Sequence, residues 1–333
     1  MEMIPLLEKL TQACGVAGDE GPIADLLEQE IKDIGPVRRT PLGSLICTVK
    51  QESPEKPHVV LEAHIDEIGL MVCAIDEEGF LKVTRCGGID RRVATASPVL
   101  IHGRKGARRG ILCSEQSDPN KNPTLEQLFV DAGMSKEQAG EEFPIGTRIS
   151  YIGSLKHLLE GKVSSKALDD RCGCAVLMET MRRLGKTDNE IVAVFTTQEE
   201  VGLRGATTAG YAADPDMAIA LDVTHANDFP RAKETTHVVS RLGKGAAVKI
   251  MDRGLIAHPD VVEALEAAAA KAGVPCQREI LLGGSTDAAA IHKSRAGVPS
   301  GVISLPCRYV HAPCEMVDLN DLEGAVRILL ALL

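Results

Sequence analysis

The 333-residue sequence has no tryptophan, and aromatic residues make up only 2% of it. Proteins that bind single-stranded nucleic acid usually stack the bases on aromatic side chains, and sugar-binding clefts use similar platforms. The sequence also lacks an excess of positive charge, because its formal net charge is −10. Since nucleic-acid-binding proteins are usually basic, we expect no nucleic-acid partner and no long polysaccharide cleft.

Long apolar segments are absent as well. No stretch approaches the roughly 18 apolar residues that a transmembrane helix needs, and the N-terminal MEMIPLLEKL has acidic residues where a signal peptide would be basic and then apolar. Ten cysteines are present, but none forms a C-x-x-C motif. We therefore expect a cytoplasmic protein with reduced thiols and no membrane partner.

The order of the apolar segments indicates an α/β fold that is interrupted by a smaller β unit. Strand and helix patterns alternate in the two ends of the chain, which is typical of a doubly wound, mostly parallel sheet. Between them, short apolar runs are separated by turn sequences such as DEEG and GRKG. We predict a catalytic domain formed by residues 1–67 and 164–333, with an inserted all-β, barrel-like domain at 68–163. The predicted helices include 169–184, 260–272, 287–296 and a last helix capped by Asp318.

Carboxylate and imidazole side chains stand where the predicted strands end. They are His64 and Asp66 after HVVLEA, Glu199 and Glu200 after IVAVFTTQ, Asp222 after MAIAL, and His311 after GVISLPCRYV, with Asp169 and Asp170 before a predicted helix. Each residue alone is more typical of a helix cap or a turn. Because ligands of doubly wound sheets bind beyond the carboxyl ends of the strands, we expect the whole group to lie together.

So many acidic groups would repel one another unless cations lay between them. Carboxylates combined with imidazoles suit Zn²⁺ and similar divalent ions. The set is too large for one tetrahedral ion and suits two ions that share a bridging carboxylate. Three carboxylates (Asp169, Glu200 and Asp222) and a bridging hydroxide would balance the charge of two such ions. One of the adjacent glutamates is then left to act as a general base.

Five motifs in this order resemble those of the M42 family of metallo-aminopeptidases. They are EAHIDEIG, ALDDRCG, TTQEEVGLRGA, ALDVTHA and RYVHAPCE, and the resemblance extends over nearly the whole chain. It implies two divalent metal ions in each subunit, Zn²⁺ or Co²⁺, and peptide substrates. It also implies that the inserted β domain mediates dimerisation, and that dimers assemble into larger shells such as a hollow tetrahedral dodecamer.

The resemblance also implies a role for each candidate residue. The implied metal ligands are Asp169 as the bridge, His64 and Asp222 at one ion, and Glu200 and His311 at the other. Glu199 corresponds to the general base, and Asp66 to the carboxylate that orients His64. Asp170 is expected to shape the turn after Asp169 rather than to bind metal.

These roles imply an aminopeptidase that removes N-terminal residues from peptides with a metal-bridged hydroxide whose proton Glu199 accepts. The same groups would serve a two-metal amidohydrolase of acylated amino acids or small amides, because site chemistry does not fix the substrate. An endoglucanase is less favoured, since Glu199 and Glu200 are adjacent and sugar hydrolysis needs a separated pair. The preferred N-terminal residue and the native metal stay open.

Three further features near these motifs have open roles. Ser285 in LLGGSTDAAAI stands where the family pattern has glycine, which affects the fine shape of the pocket. Arg308 suits either contact with a substrate or a structural ion pair. Cys172 and Cys174 are more typical of buried packing than of redox chemistry.

Overall fold

The computed structural model describes residues 3–50, 57–118, 120–229 and 239–333. In these ranges the helices are α1 (Met3–Gln12), α2 (Gly21–Ile31), α3 (Arg91–Ala94), α4 (Lys136–Glu142), α5 (Leu168–Arg183), α6 (Arg204–Ala213), α7 (Pro259–Ala272), α8 (Ala288–Ile291) and α9 (Leu319–Leu332). The strands are β1 (Val37–Arg39), β2 (Leu45–Lys50), β3 (His58–His64), β4 (Gly69–Ile75), β5 (Leu81–Cys86), β6 (Ser97–Gly103), β7 (Gly106–Ser114), β8 (Leu128–Asp131), β9 (Arg148–Tyr151), β10 (Lys156–His157), β11 (Lys162–Ser165), β12 (Glu190–Thr196), β13 (Met217–His225), β14 (Ala247–Met251), β15 (Gln277–Ile280), β16 (Ser300–Arg308) and β17 (Glu315–Asp318).

The larger sheet has the order β1-β2-β12-β3-β13-β16-β17-β11-β10, and β14 and β15 join it beside β16. Its central strands β12, β3, β13 and β16 are parallel, whereas its outer strands are antiparallel. The central strands consist almost entirely of buried residues, because helices cover both faces of a parallel sheet. The prediction of a doubly wound α/β fold is confirmed.

Helices pack on both faces of this sheet. On one face α1, α2, α5, α7 and α9 form the main hydrophobic core with the sheet. On the other face α6 and α8 cover a smaller cluster that includes Val60, Val194, Ala206 and Ile291. Among the described helices, none is both long enough and apolar enough to cross a membrane.

The inserted β unit is a closed six-stranded barrel with the strand order β4-β5-β8-β7-β6-β9. Its core is separate from those of the sheet and includes Leu70, Val99, Val130 and Phe143. The prediction of a barrel-like insertion is confirmed. The strands that follow the barrel belong to the larger sheet instead, because β11 pairs with β17 and β10 pairs with β11. The predicted domain boundaries remain a prediction.

Two predicted helix boundaries have different outcomes. The last helix begins after Asp318, whose side chain accepts a hydrogen bond from Asn320 N, as expected of an N-cap. The helix predicted at 287–296 is shorter in the structure, where it consists of α8 alone. It cannot extend through Arg295, because Arg295 adopts a left-handed backbone with a φ of 51°. His292 O then accepts a hydrogen bond from Val298 N, which ends the helix.

Arg171 joins α5 to the segments that lead into the site. Its side chain is fully buried and donates to the carbonyl oxygens of Ile65 at 2.8 Å and Ala13 at 3.0 Å, and also to that of Leu10. Its Nη2 also lies 3.8 Å from the Glu67 carboxylate. The guanidinium therefore satisfies backbone groups that strands and helices leave unpaired.

The Arg171→Met substitution is expected to lower the free energy of unfolding by about 3–5 kcal/mol, because buried acceptors and Glu67 would lose their partner. Arg183→Met is a control in the same helix, since Arg183 forms an exposed pair with Glu323, and it should cost about 1 kcal/mol or less. Urea denaturation at one protein concentration measures both. Small and equal losses of unfolding free energy in the two variants would show that Arg171 stabilises the fold no more than a surface arginine does.

Candidate active site

Four parallel strands and one helix bring the predicted residues together at one edge of the larger sheet. These residues are His64 at the end of β3, Asp66 just after it, Glu199 and Glu200 after β12, Asp222 in β13, His311 after β16, and Asp169 at the start of α5. Unlike the sequence-based expectation, β13 does not end at Asp222. It continues to His225 because it stays paired with β16 as far as Cys307.

Asp169 lies between the two histidines. Its Oδ1 is 3.1 Å from His64 Nε2, and its Oδ2 is 3.2 Å from His311 Nε2. Asp222 Oδ1 lies 3.9 Å from the same nitrogen of His64, and Glu200 Oε1 lies 3.2 Å from that of His311. The side chains therefore form two groups that share the Asp169 carboxylate.

Potential ligand atoms are also close enough to surround a cation. One atom each from His64, Asp169 and Glu200 lie within 4.8 Å of one another, and the same is true of His64, Asp170 and Asp222. Asp170, which we did not expect to be a ligand, thus lies near the same centre. Its Oδ1 accepts a hydrogen bond from Gly173 N at 3.1 Å, which fits the expected role in shaping the turn.

Asp66 connects the strand end of His64 to the turn of the two glutamates. Its carboxylate accepts hydrogen bonds from Glu199 N at 2.9 Å and Glu200 N at 3.1 Å. His64 Nδ1 lies 3.1 Å from the backbone oxygen of Asp66 and 3.6 Å from its carboxylate. Gln198, just before the turn, has a left-handed backbone with a φ of 57°. Asp66 therefore fixes an otherwise unfavourable turn as well as the imidazole.

Glu315 has a comparable position on the other side, although our sequence analysis did not single it out. The side chain is buried and accepts hydrogen bonds from Asp169 N at 3.0 Å and His311 N at 2.7 Å. Burial and the Asp169 charge raise the pKa of Glu315 to about 8. The one sequence signal was a carboxylate four residues after His311. The cavity-lining His225 was also missed.

The candidate site contains more buried carboxyl groups than basic side chains. Burial and neighbouring carboxylates raise the pKa of Glu199 and of Asp222 well above its usual range. Burial disfavours the charge of His311, but Glu200 and Asp169 raise its pKa to about 12. Burial likewise opposes ionisation of Asp169, yet His311 and His64 hold its pKa well below its usual range.

The donor set fits divalent cations. Carboxylate oxygens and imidazole nitrogens converge here, and protonated histidines compensate only part of the negative charge. Glu200 Oε1 is buried and has no hydrogen-bond partner among the described residues, although His311 Nε2 is near. Such an oxygen is costly to bury unless a further positive partner binds it.

A cavity of about 760 Å³ opens onto this group. Its other wall includes Arg253 and the segment 283–286. Arg308 does not line it and instead forms an ion pair with Asp228 through two contacts of 2.6 and 2.9 Å. The structure therefore favours the structural role for Arg308.

Cys172 and Cys174 are fully buried in α5, and burial raises the pKa of both thiols well above the usual value. A thiol that stays protonated is a poor nucleophile, so packing describes both residues best.

Comparison with known proteins assigns the chain. The family model described as M42 glutamyl aminopeptidase matches residues 43–328. The chain belongs to the M42 family. The lysyl aminopeptidase of Pyrococcus furiosus is 33% identical over 340 residues, which cover 98% of this chain and 96% of that protein.

Two solved structures are also similar. The aminopeptidase APDkam598 of Desulfurococcus kamchatkensis has a TM-score of 0.95 at 36% identity, covering 99% of this chain and 93% of the other. The TET1 peptidase of Pyrococcus horikoshii, which can assemble into a tetrahedron or a large octahedral shell, has a TM-score of 0.88 at 30% identity, with 99% of each chain covered. The predicted family is confirmed, and this M42 chain is accordingly an aminopeptidase, a hydrolase of peptide bonds.

The Glu315→Gln substitution should weaken the binding of a divalent metal ion by about 10- to 100-fold. The two carboxylate oxygens of Glu315 accept separately from Asp169 N and His311 N, and the amide would replace one of them with a donor group. Competition with a chelator, followed by metal analysis, measures this change. Glu323→Gln on the exposed face of α9 is the control, since Glu323 only pairs with Arg183. An unchanged metal affinity in Glu315→Gln would contradict the positioning role.

Proposed function

We propose that this protein is a dinuclear metal aminopeptidase that removes N-terminal residues from peptides. The observation that carries the proposal is the Asp169 carboxylate, whose two oxygens each approach a different histidine at 3.1 and 3.2 Å. A carboxylate that faces two imidazoles in this way suits the bridging ligand of a two-metal site.

The remaining ligands follow from the two groups that share Asp169. His64 and Asp222 would hold one ion, and Glu200 and His311 the other. When bound, two divalent ions such as Zn²⁺ or Co²⁺ would supply Lewis acidity and lower the pKa of a water molecule. Asp66 and Glu315 would keep the ligands in place through backbone hydrogen bonds.

Glu199 is the candidate general base. It lines the cavity next to the ligand Glu200, and its backbone is held by Asp66. A carboxylate with a raised pKa can both accept and release a proton near neutral pH. Glu199 would take a proton from the attacking water and transfer it to the amine of the departing peptide.

The same geometry favours peptides with a free N-terminus. A protonated or metal-facing α-amine can approach the acidic end of the cavity, where Glu199, Glu200 and Asp222 lie. An N-acyl amino acid, the substrate of the alternative amidohydrolase, has no such amine and adds its own carboxylate. We therefore place peptides ahead of acylated amino acids and small amides.

The Glu199→Gln substitution should keep the metal content of the protein and lower kcat on leucine p-nitroanilide by about 100- to 10,000-fold, because the base is lost. Asp169→Asn is the contrasting variant and should lose both metal and activity. Metal analysis and steady-state kinetics after loading with Zn²⁺ or Co²⁺ give the two readouts.

The proposal fails if Glu199→Gln keeps most of its activity, or if the metal-loaded wild-type protein hydrolyses N-acetyl-leucinamide or N-acetyl-leucine p-nitroanilide in preference to leucine p-nitroanilide. The second result would favour the amidohydrolase.

We also propose that the protein self-associates through its barrel. A TET1 relative forms closed shells, and the barrel exposes the apolar side chain of Ile111, which is 45% accessible on β7. All ten cysteines are free, which fits the reducing cytoplasm that we propose as the location.

Light scattering of the purified protein should therefore give the mass of a dimer or of a larger multiple, up to the twelve subunits seen in a related TET1 structure. Ile111→Asp should reduce that mass, because it places a charge in the proposed contact. A wild-type monomer across micromolar concentrations would contradict the proposal.

A further inference from the structure

One cationic side chain in the cavity has no assigned role. Arg253 is the only lysine or arginine among the described residues that line it. The side chain is exposed, and within the described ranges it has neither a hydrogen bond nor an ion pair. The arginines elsewhere near the site differ, because Arg308 is paired with Asp228 and Arg171 is buried against carbonyl groups.

The backbone that carries Arg253 is held firmly in place. Asp252 Oδ1 accepts hydrogen bonds from Gly254 N and Leu255 N, both at 2.8 Å. Arg253 N donates to Gly284 O at 3.2 Å, which joins the turn to the neighbouring segment 283–286 on the same wall of the cavity. The guanidinium thus extends from a fixed base, so less conformational freedom is lost when it binds a ligand.

A buried polar network contacts Asp252 and so stabilises the turn that carries Arg253. Lys249 Nζ lies 2.7 Å from Glu279 and 4.0 Å from Asp252, and all three side chains are inaccessible to solvent. Thr286 Oγ1 also donates to Asp252 Oδ2 at 3.4 Å. Charges this deeply buried are stable only when paired, so the network fixes Asp252 and, through it, the turn of Arg253.

Ser285 offers a second polar group on the same wall. Its Oγ is buried and has no hydrogen-bond partner among the described residues. It packs against Gly254, where a larger residue would collide with the hydroxyl. A serine hydroxyl can donate one hydrogen bond to a ligand oxygen, so Ser285 complements the arginine beside it.

We propose that Arg253, assisted by Ser285, binds a carboxylate of the peptide substrate. This inference rests on the proposed aminopeptidase function. A guanidinium binds carboxylates through two parallel hydrogen bonds, which suits this group better than any uncharged side chain. The carboxylate belongs either to the side chain of an N-terminal Glu or Asp, or to the C-terminus of a dipeptide.

Two matched pairs of substrates distinguish these sources in the metal-loaded enzyme. Glutamate p-nitroanilide against glutamine p-nitroanilide tests a side-chain carboxylate. The dipeptide Leu-Ala against Leu-Ala-amide tests a C-terminal carboxylate. In Arg253→Gln, kcat/KM for the charged member of one pair should fall by about 10- to 100-fold, the usual effect of losing a hydrogen bond to a charged group.

The uncharged substrates should react at unchanged rates in Arg253→Gln. Arg253→Glu should lower kcat/KM for the charged member of the affected pair further than Arg253→Gln does. If the side-chain pair is the affected one, Arg253→Glu should also raise kcat/KM for a lysine p-nitroanilide. Ser285→Ala should lower kcat/KM for the same charged substrate by a smaller factor. Arg278→Gln is the control, because Arg278 is exposed on β15, pairs with Glu266 and does not line the cavity.

The outcomes separate the two proposals. If uncharged substrates are hydrolysed normally and neither pair responds to the Arg253 variants, the carboxylate site is overturned and the aminopeptidase function stands. If the metal-loaded wild-type protein hydrolyses none of the four substrates, the proposed function fails and the carboxylate site with it. Calorimetric titration of glutamate and glutamine as products gives an independent readout, in which Arg253→Gln should lose any preference for glutamate.

Discussion

The site depends on one constraint, which is the crowding of buried carboxylates at the ends of parallel strands. The sheet and α5 bring Asp169, Glu200 and Asp222 together, and within the described residues no arginine or lysine forms an ion pair with them. Asp169 holds the arrangement together because each of its oxygens faces one imidazole. Such a cluster costs free energy in an apolar interior unless cations are bound. Stability of the empty site and affinity for metal are therefore opposed, as is common where a fold is strained for function.

The backbone around this cluster is arranged by two carboxylates that are themselves buried. Asp66 accepts from the Glu199 and Glu200 amides, whereas Glu315 accepts from the Asp169 and His311 amides. Asp66 thus fixes two adjacent residues at a turn, whereas Glu315 fixes two residues that are far apart in the chain. These two different roles explain why so many acidic residues occur together. Some present oxygens to the centre, and others use theirs to hold the main chain that carries the first group.

Much of this could be predicted from the sequence because the candidate ligands follow, or lie within, apolar strand patterns, or in the case of Asp169 precede a helix pattern. The strands that lead to His64 and Glu199 are buried on both faces, so both the strands and the polar residues at or after their ends can be recognised in the sequence. Glu315 and Arg253 could not be found in this way, since their roles arise from contacts with distant segments. The early end of α8 was also missed, because the left-handed residue after it, Arg295, is neither glycine nor proline. The pairing of β10 and β11 with the larger sheet likewise depends on tertiary packing.

The barrel is connected to the site at the points where the chain leaves and re-enters the larger domain. The chain departs just after Asp66 and returns to the larger sheet with β10 and β11, and β11 ends three residues before α5 begins. Across this junction Lys166 Nζ lies 2.6 Å from the buried Glu67 carboxylate, which also accepts from Gly15 N at 3.2 Å. The two connecting segments are thus fixed to each other and to Gly15 in the loop after α1. Because His64 and Asp169 stand at its two ends, displacement of the barrel would be expected to change the distance between the His64 imidazole and the Asp169 carboxylate. The assembly through the barrel that we propose would therefore act on the geometry of the site through Glu67 and Lys166.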